Sequence, residues 1–228
     1  MPRDPPVTAL RPAFATAMAA LLLNTLLLGG CASIPRPGIP AATAPTAVAT
    51  AWQAHRARLS AIDAFTLDAR IAASGNFGVT GSLHWVQHGD TFNVHFAGPL
   101  GAGVVDLIGN PGFVLIRSGD QQYATTDPEH FLLKQFGWTL PLQGLRYWAL
   151  GLPAPERTTP GTSSITLDDD GTLRTLRQGG WDIDYPQYQA VASHRLPRKI
   201  TMQGSKTQLR IVADRWTLSA ANPSTGSE

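Results

Sequence analysis

The stretch Leu83-His84-Trp85-Val86-Gln87-His88-Gly89-Asp90-Thr91-Phe92-Asn93-Val94-His95-Phe96-Ala97 reads as two strands joined at Gly89-Asp90. Leu83 and Trp85 in the first run, and Phe92, Val94 and Phe96 in the second, recur at every other residue, the period at which side chains leave a strand on opposite faces. One face of this hairpin is therefore apolar. The Gly-Asp pair between the runs is turn chemistry. Outward from the hairpin the same grammar repeats: residues 65–73, 77–87, 91–97, 104–108, 113–118 and 121–125 form short runs separated by Gly-Asp, Gly-Asn and Asn-Pro-Gly punctuation. That spacing argues for an antiparallel meander.

The pattern then changes. Asp127-Pro128-Glu129 supplies the cap, first-turn proline and early acid of a helix that carries Phe131, Leu132 and Phe136 and closes at Gly137. A second helix is predicted over residues 142–150, with Leu145, Trp148 and Ala149 on one side, ending at Gly151 before Pro153. A second group of strands follows at residues 165–167, 173–178, 181–185, 199–203 and 208–218, with Asp168-Asp169-Asp170-Gly171 as a hairpin turn. Upstream, residues 48–62 favour one helix whose face carries Val48, Trp52 and Leu59. A mainly β fold follows, a closed or nearly closed sheet with short helices over its mouth, of a size that can hold an apolar ligand.

Cys31, the only cysteine, stands directly behind an apolar run that ends Leu28-Gly29-Gly30. Arg3 and Arg11, the apolar core and the small residues before the thiol read as a lipoprotein export signal over residues 1–30. Residues 31–50 are then a lipid-bearing cysteine and a flexible tether rich in Pro, Ala and Thr, and residues 51–228 the barrel domain. Diacylglycerol and an N-acyl chain on Cys31 would hold the protein on a membrane, since two or three chains bind where one alone is reversible. With no second cysteine, the fold stands on its core without a disulfide. The formal charge of +2 falls toward neutrality once the leader is removed, so nothing gathers nucleic acid. A monomer is expected.

Catalytic patterns are missing from the sequence. There is no His-Glu-x-x-His, no Gly-x-Ser-x-Gly and no Cys-His pair, because Cys31 is committed to lipid. His84 and His88 share a strand face with His95 nearby, yet lack a carboxylate or thiolate partner in sequence; solvent-facing histidines are the expectation, with no metal and no cofactor. The Asp168-Asp169-Asp170-Gly171 turn lacks the alternate spacing and closing Glu of a calcium loop. Arg70 would be costly on an inward face unless paired, and an outward position is favoured.

Several stretches taken together resemble the LolB family of outer-membrane lipoprotein receptors. They are Trp52-Gln53-Ala54-His55, Phe65 with Arg70-Ile71-Ala72, Trp85-Val86-Gln87, Gly98-Pro99-Leu100-Gly101, Asp127-Pro128-Glu129, Gly137-Trp138-Thr139-Leu140-Pro141, Leu145-Arg146-Tyr147-Trp148-Ala149-Leu150-Gly151-Leu152-Pro153, Gln178-Gly179-Gly180-Trp181 and Leu196-Pro197. Ala69 departs from the pattern, where glycine is expected before Arg70. The resemblance implies an incomplete antiparallel β-barrel of LolA/LolB type covered by helices. It also implies a protein that takes lipoproteins from the periplasmic carrier LolA and releases them into the outer membrane, with Ala32 after the cysteine matching that destination. The loop Pro99, Leu100, Gly101 carries over as the delivery element.

Burial alone suits such a task, because each methylene kept from water is worth about 0.8 kcal/mol and no directional bond must be broken on release. Trp85, Phe92, Phe96, Trp138 and Trp148 are the candidates for cavity lining or lid; aromatic packing in a filled core accounts for them equally. Leu100, between Pro99 and Gly101, is expected on a turn and exposed, contributing about 2 kcal/mol on entering lipid. The competing reading is an envelope structural or assembly lipoprotein whose barrel is filled by side chains.

Overall fold

A computed structural model describes residues 43–219 other than 75–77, 102, 111, 137–141 and 160. Cys31, most of the tether and Trp138 fall outside those residues. Ala42–Glu228 forms a compact unit by itself and holds the buried core formed by the described residues. Its elements are α1 (Thr43–Ser60), β1 (Ala64–Ser74), β2 (Val79–His88), β3 (Thr91–Ala97), β4 (Val105–Asn110), β5 (Phe113–Ser118), β6 (Gln121–Thr125), α2 (Pro128–Phe136), α3 (Leu142–Ala149), β7 (Ser164–Leu167), β8 (Leu173–Gln178), β9 (Trp181–Val191), β10 (His194–Gln203) and β11 (Gln208–Leu218). α1 begins inside the stretch assigned to the tether.

The 11 strands of the described residues lie in one antiparallel sheet, in the order β6-β5-β4-β3-β2-β1-β11-β10-β9-β8-β7. The first and last strands are thus neighbours at its centre, Phe65 opposite Leu218 and Ile71 opposite Ile211. The free edges are β6 and β7, which the chain joins through α2 and α3. The sheet is an incomplete barrel, as expected, with its seam at the helices.

The alternation that opened the sequence reading is what fills the interior. Leu83, Trp85, Phe92 and Val94 are buried while His84, Val86, Asn93 and His95 face out. Phe65, Leu67, Ile211 and Trp216 continue the inner face on β1 and β11, with Phe65 edge-on between the rings of Trp85 and Trp216 at 5.2 Å each. The register of β1 against β11 shifts between Asp68 and Ala69, the position that departs from the resemblance.

β9 and β10 run further than residues 181–185 and 199–203, because Pro186 and Pro197 do not end them. The β9–β10 register shifts around Lys199, and beyond Asp184 β9 pairs with β10 alone, so Pro186 forfeits no ladder bond on its other side. α2 is capped as read: the His130 amide donates to the Asp127 carboxylate at 3.2 Å, and Leu132 is fully buried. α3 ends in a Schellman motif, with Leu152 N–H donating to the Tyr147 carbonyl at 2.9 Å, Gly151 N–H to Trp148 at 3.1 Å, and Gly151 at φ 79°. This turn drives Leu150 and Leu152 into the core behind the helix.

Candidate functional site

Two hollows lie where the helices meet the sheet, and a third lies within the sheet. The largest, about 850 Å³, has an apolar wall from α1 (Trp52, Leu59), the end of α3 (Leu150, Leu152) and the edge strand β7 (Ile165), and a polar side from Arg56, Ser60, Glu156, Thr162 and Ser163. A second of about 270 Å³ lies between α3 and the β2–β3 hairpin, against Trp85, Phe92 and Val94. Arg146 and Tyr147 border both, so these two side chains form the partition. Arg146 is fixed there by Asp63 at 3.0 Å and Asp90 at 2.9 Å, which tie α3 to the start of β1 and to the hairpin turn. The third hollow, deep in the sheet beneath Leu83, Phe96 and Leu107, holds only about 40 Å³, little more than the room of one water molecule.

Trp148 is 1% exposed and does not border these hollows; it is the structural pivot of α3. Its indole N–H donates to Gln178 Oε1 at 2.9 Å, and Tyr185 donates its hydroxyl to the Trp148 carbonyl at 3.0 Å. Gln178 also accepts from Ala154 N at 2.9 Å and donates to Ala154 O at 2.8 Å, so a single buried amide ties the helix, the loop after it and β8 together. Gln87 plays the smaller counterpart role, accepting from Trp85 Nε1 at 2.9 Å and donating to Gly89 O at 2.8 Å. Both glutamines entered the sequence reading only inside the resembling stretches Trp85-Val86-Gln87 and Gln178-Gly179-Gly180-Trp181, with no sign of this role, since each occupies an inward strand position where an apolar residue is the rule. Arg146 was legible only as part of a longer block.

The Pro99, Leu100, Gly101 loop forms a 3₁₀ turn at the open end of β3. Leu100 is wholly exposed at 108% of its reference area and sits at φ 58°, ψ 24°, a left-handed conformation that costs a non-glycine residue about 1 kcal/mol. Gly101 N–H donates to Gly98 O at 3.1 Å. Gly81 on the neighbouring strand lets the end of β3 lie close before the loop begins: a Cβ there would collide with the Ala97 carbonyl oxygen and the Phe96 ring.

The three histidines of β2 and β3 are outward. His84 and His95 face each other across β2 and β3, and each has its Nδ1 on an aspartate, Asp68 at 2.6 Å and Asp106 at 2.7 Å. The Asp68 carboxyl is held below its usual range by His84 and Arg215. Among the described residues no group of three or more potential ligands converges on a metal position. Arg70 is also outward, with its guanidinium bidentate on Asp214 at 2.9–3.2 Å.

Among known proteins, the family described as "Outer membrane lipoprotein LolB" matches residues 63–216. The outer-membrane lipoprotein LolB of Nitrosococcus oceani is 37% identical over 203 residues, covering 88% of this chain and 97% of that protein. The LolB of a Pseudomonas putida strain is 36% identical over 168 residues, covering 72% and 80%. A solved DUF1329 family protein from Desulfovibrio piger shares the fold, at TM-score 0.52 and 6% identity over 77% of this chain and 95% of that one.

Proposed function

The chain belongs to the LolB family of outer-membrane lipoproteins, and on that premise we propose that it receives lipoproteins from a LolA-type periplasmic carrier and passes them into the outer membrane. The observation that carries this reading is the 850 Å³ hollow at the seam of the sheet, walled by Trp52, Leu59, Leu150 and Leu152. An alkyl chain there exchanges water for side chains at about 0.8 kcal/mol per methylene, and a bilayer offers the same exchange, so transfer is not blocked by a strong directional bond. The smaller hollow beside Trp85 and Phe92 extends the site if Arg146 and Tyr147 move aside.

Acyl chains on Cys31 anchor the protein, residues 31–42 give it reach, and the body acts as a monomer at the membrane. Leu100 then has a task of its own. Its exposure is maintained at a conformational cost, and on entering hydrocarbon it contributes about 2 kcal/mol, too little to anchor but enough to bias the loop toward lipid.

The test is transfer in two stages. A carrier loaded with a lipoprotein is mixed with residues 42–228, and cargo should move onto the protein; no movement would overturn the reading. In Leu100→Glu the uptake should persist while delivery to vesicles falls by about 30-fold, the equivalent of 2 kcal/mol. Normal delivery by that variant would remove Leu100 from the mechanism.

A further inference from the structure

The delivery loop does not stand alone: it roofs a groove of about 600 Å³ on the outer face of β1, β2 and β11. The floor is made of small outward side chains, Ala72, Thr80, Ser82 and Val212, and its flanks carry Arg70 and Arg210. In the sheet register Arg70 lies opposite Val212 and Arg210 opposite Ala72, so the two guanidiniums stand in adjacent rows of one face. Lys199, opposite Val212 on β10, adds a third cation to that face. Arg70 is partly neutralised by Asp214, whereas Arg210 and Lys199 have no hydrogen bond or ion pair among the described residues. Asp68, two residues before Arg70 on the same face of β1, is already held by His84 at 2.6 Å and Arg215 at 2.8 Å, and Asp184 lies a strand further away, opposite Thr201, so neither offsets Arg210.

From this arrangement we infer that the groove seats the phosphodiester headgroup of an anionic membrane phospholipid while Leu100 enters the acyl layer beside it. An arginine fork binds a phosphate through paired N–H groups, and a cation at headgroup depth gains on a negative surface what it would lose in hydrocarbon. The small floor residues leave room for the headgroup; a longer side chain at Thr80 or Ser82 would fill it. Leu100 and Arg210 thereby divide the labour, the first reading hydrocarbon and the second reading charge. This inference rests on the delivery role of Leu100 and extends it to the lipid class.

Residues 42–228, the compact unit that holds the core of the described residues, serve for the measurement, which is co-flotation with vesicles of phosphatidylcholine alone or of phosphatidylcholine with phosphatidylglycerol. The protein should bind the phosphatidylglycerol vesicles more tightly, and the preference should shrink as salt is raised. Arg210→Gln should lose about 5-fold on those vesicles and nothing on phosphatidylcholine. Leu100→Ala should weaken binding to both compositions alike. Circular dichroism should report an unchanged fold for Arg210→Gln, since the side chain is exposed on a strand. Equal binding of the parent protein to both vesicles, or an Arg210→Gln variant that keeps the preference intact, would overturn the inference. Neither result bears on cargo uptake from the carrier, which involves no vesicle, so the receptor reading stands or falls separately.

Discussion

At the scale of single residues, the buried polar groups are where sequence and structure part. His55 belongs to the Trp52-Gln53-Ala54-His55 stretch and reads as one more residue on a helix, yet it is 5% exposed with its Nε2 unpartnered. It packs near the rings of Trp52 and Tyr188. Burial foremost, then Arg58 on its own helix and Arg195 and His194 on β10, hold its pKa below the ordinary value, with Asp170 pulling the other way. The folded chain therefore carries a neutral imidazole. As pH falls below about 6.5 the unfolded chain takes up a proton that the folded chain refuses, and stability is lost. Asp68 and Asp170, held low by their own partners, contribute only in more acidic solution, so the two effects separate by pH window. The thermal midpoint should drop between about pH 7.5 and 5.5, and His55→Gln should flatten that slope; an equal slope in the variant would show that another group controls it.

Secondary-structure elements were the most legible scale, for a physical reason. β3, β5, β6, β8 and β11 begin and end where turn residues and period-two alternation place them. Where reading fell short, at β9 and β10, a proline sits at a register irregularity or beside an unpaired strand edge, contexts that a chain read on its own does not disclose. α3 was legible as a helix but not as a device. Gly144 in its middle looks like a weakness, since glycine costs a helix about 1 kcal/mol against alanine. A Cβ at that position would stand 2.5 Å from the Trp148 ring, which is itself tied to Gln178. Gly144→Ala should therefore destabilise the protein by about 1–3 kcal/mol despite its better propensity, by overpacking. Chemical denaturation settles the sign, and a more stable Gly144→Ala variant would mean that the indole has room to shift.

For the whole molecule, the decisive arrangement is that the chain ends meet at the centre of the sheet while its middle forms the seam. β1 has β2 on one side and β11 on the other, so its amides are enclosed by long ladders, whereas β6 and β7 each have one neighbour. Local opening costs least where pairing is one-sided. No pattern in the sequence states which strands are left unpaired, because partner choice across more than 100 residues depends on closure of the whole sheet. The interior void of about 40 Å³ has no room for an alkyl chain as it stands, so the proposed receptor role assigns cargo to the seam, where α1, α3 and β7 already stand apart around the larger hollow. Amide exchange distinguishes the two places. Without lipid, β7 and β6 should exchange fastest and β1 and β11 slowest. Adding a long-chain fatty acid should slow exchange in α1, α3 and β7, the walls of the 850 Å³ hollow, and leave β1 and β11 as they were. Protection appearing instead along the inner residues Ile71, Leu83 and Leu209 would place the chain within the sheet and require the barrel to expand around it.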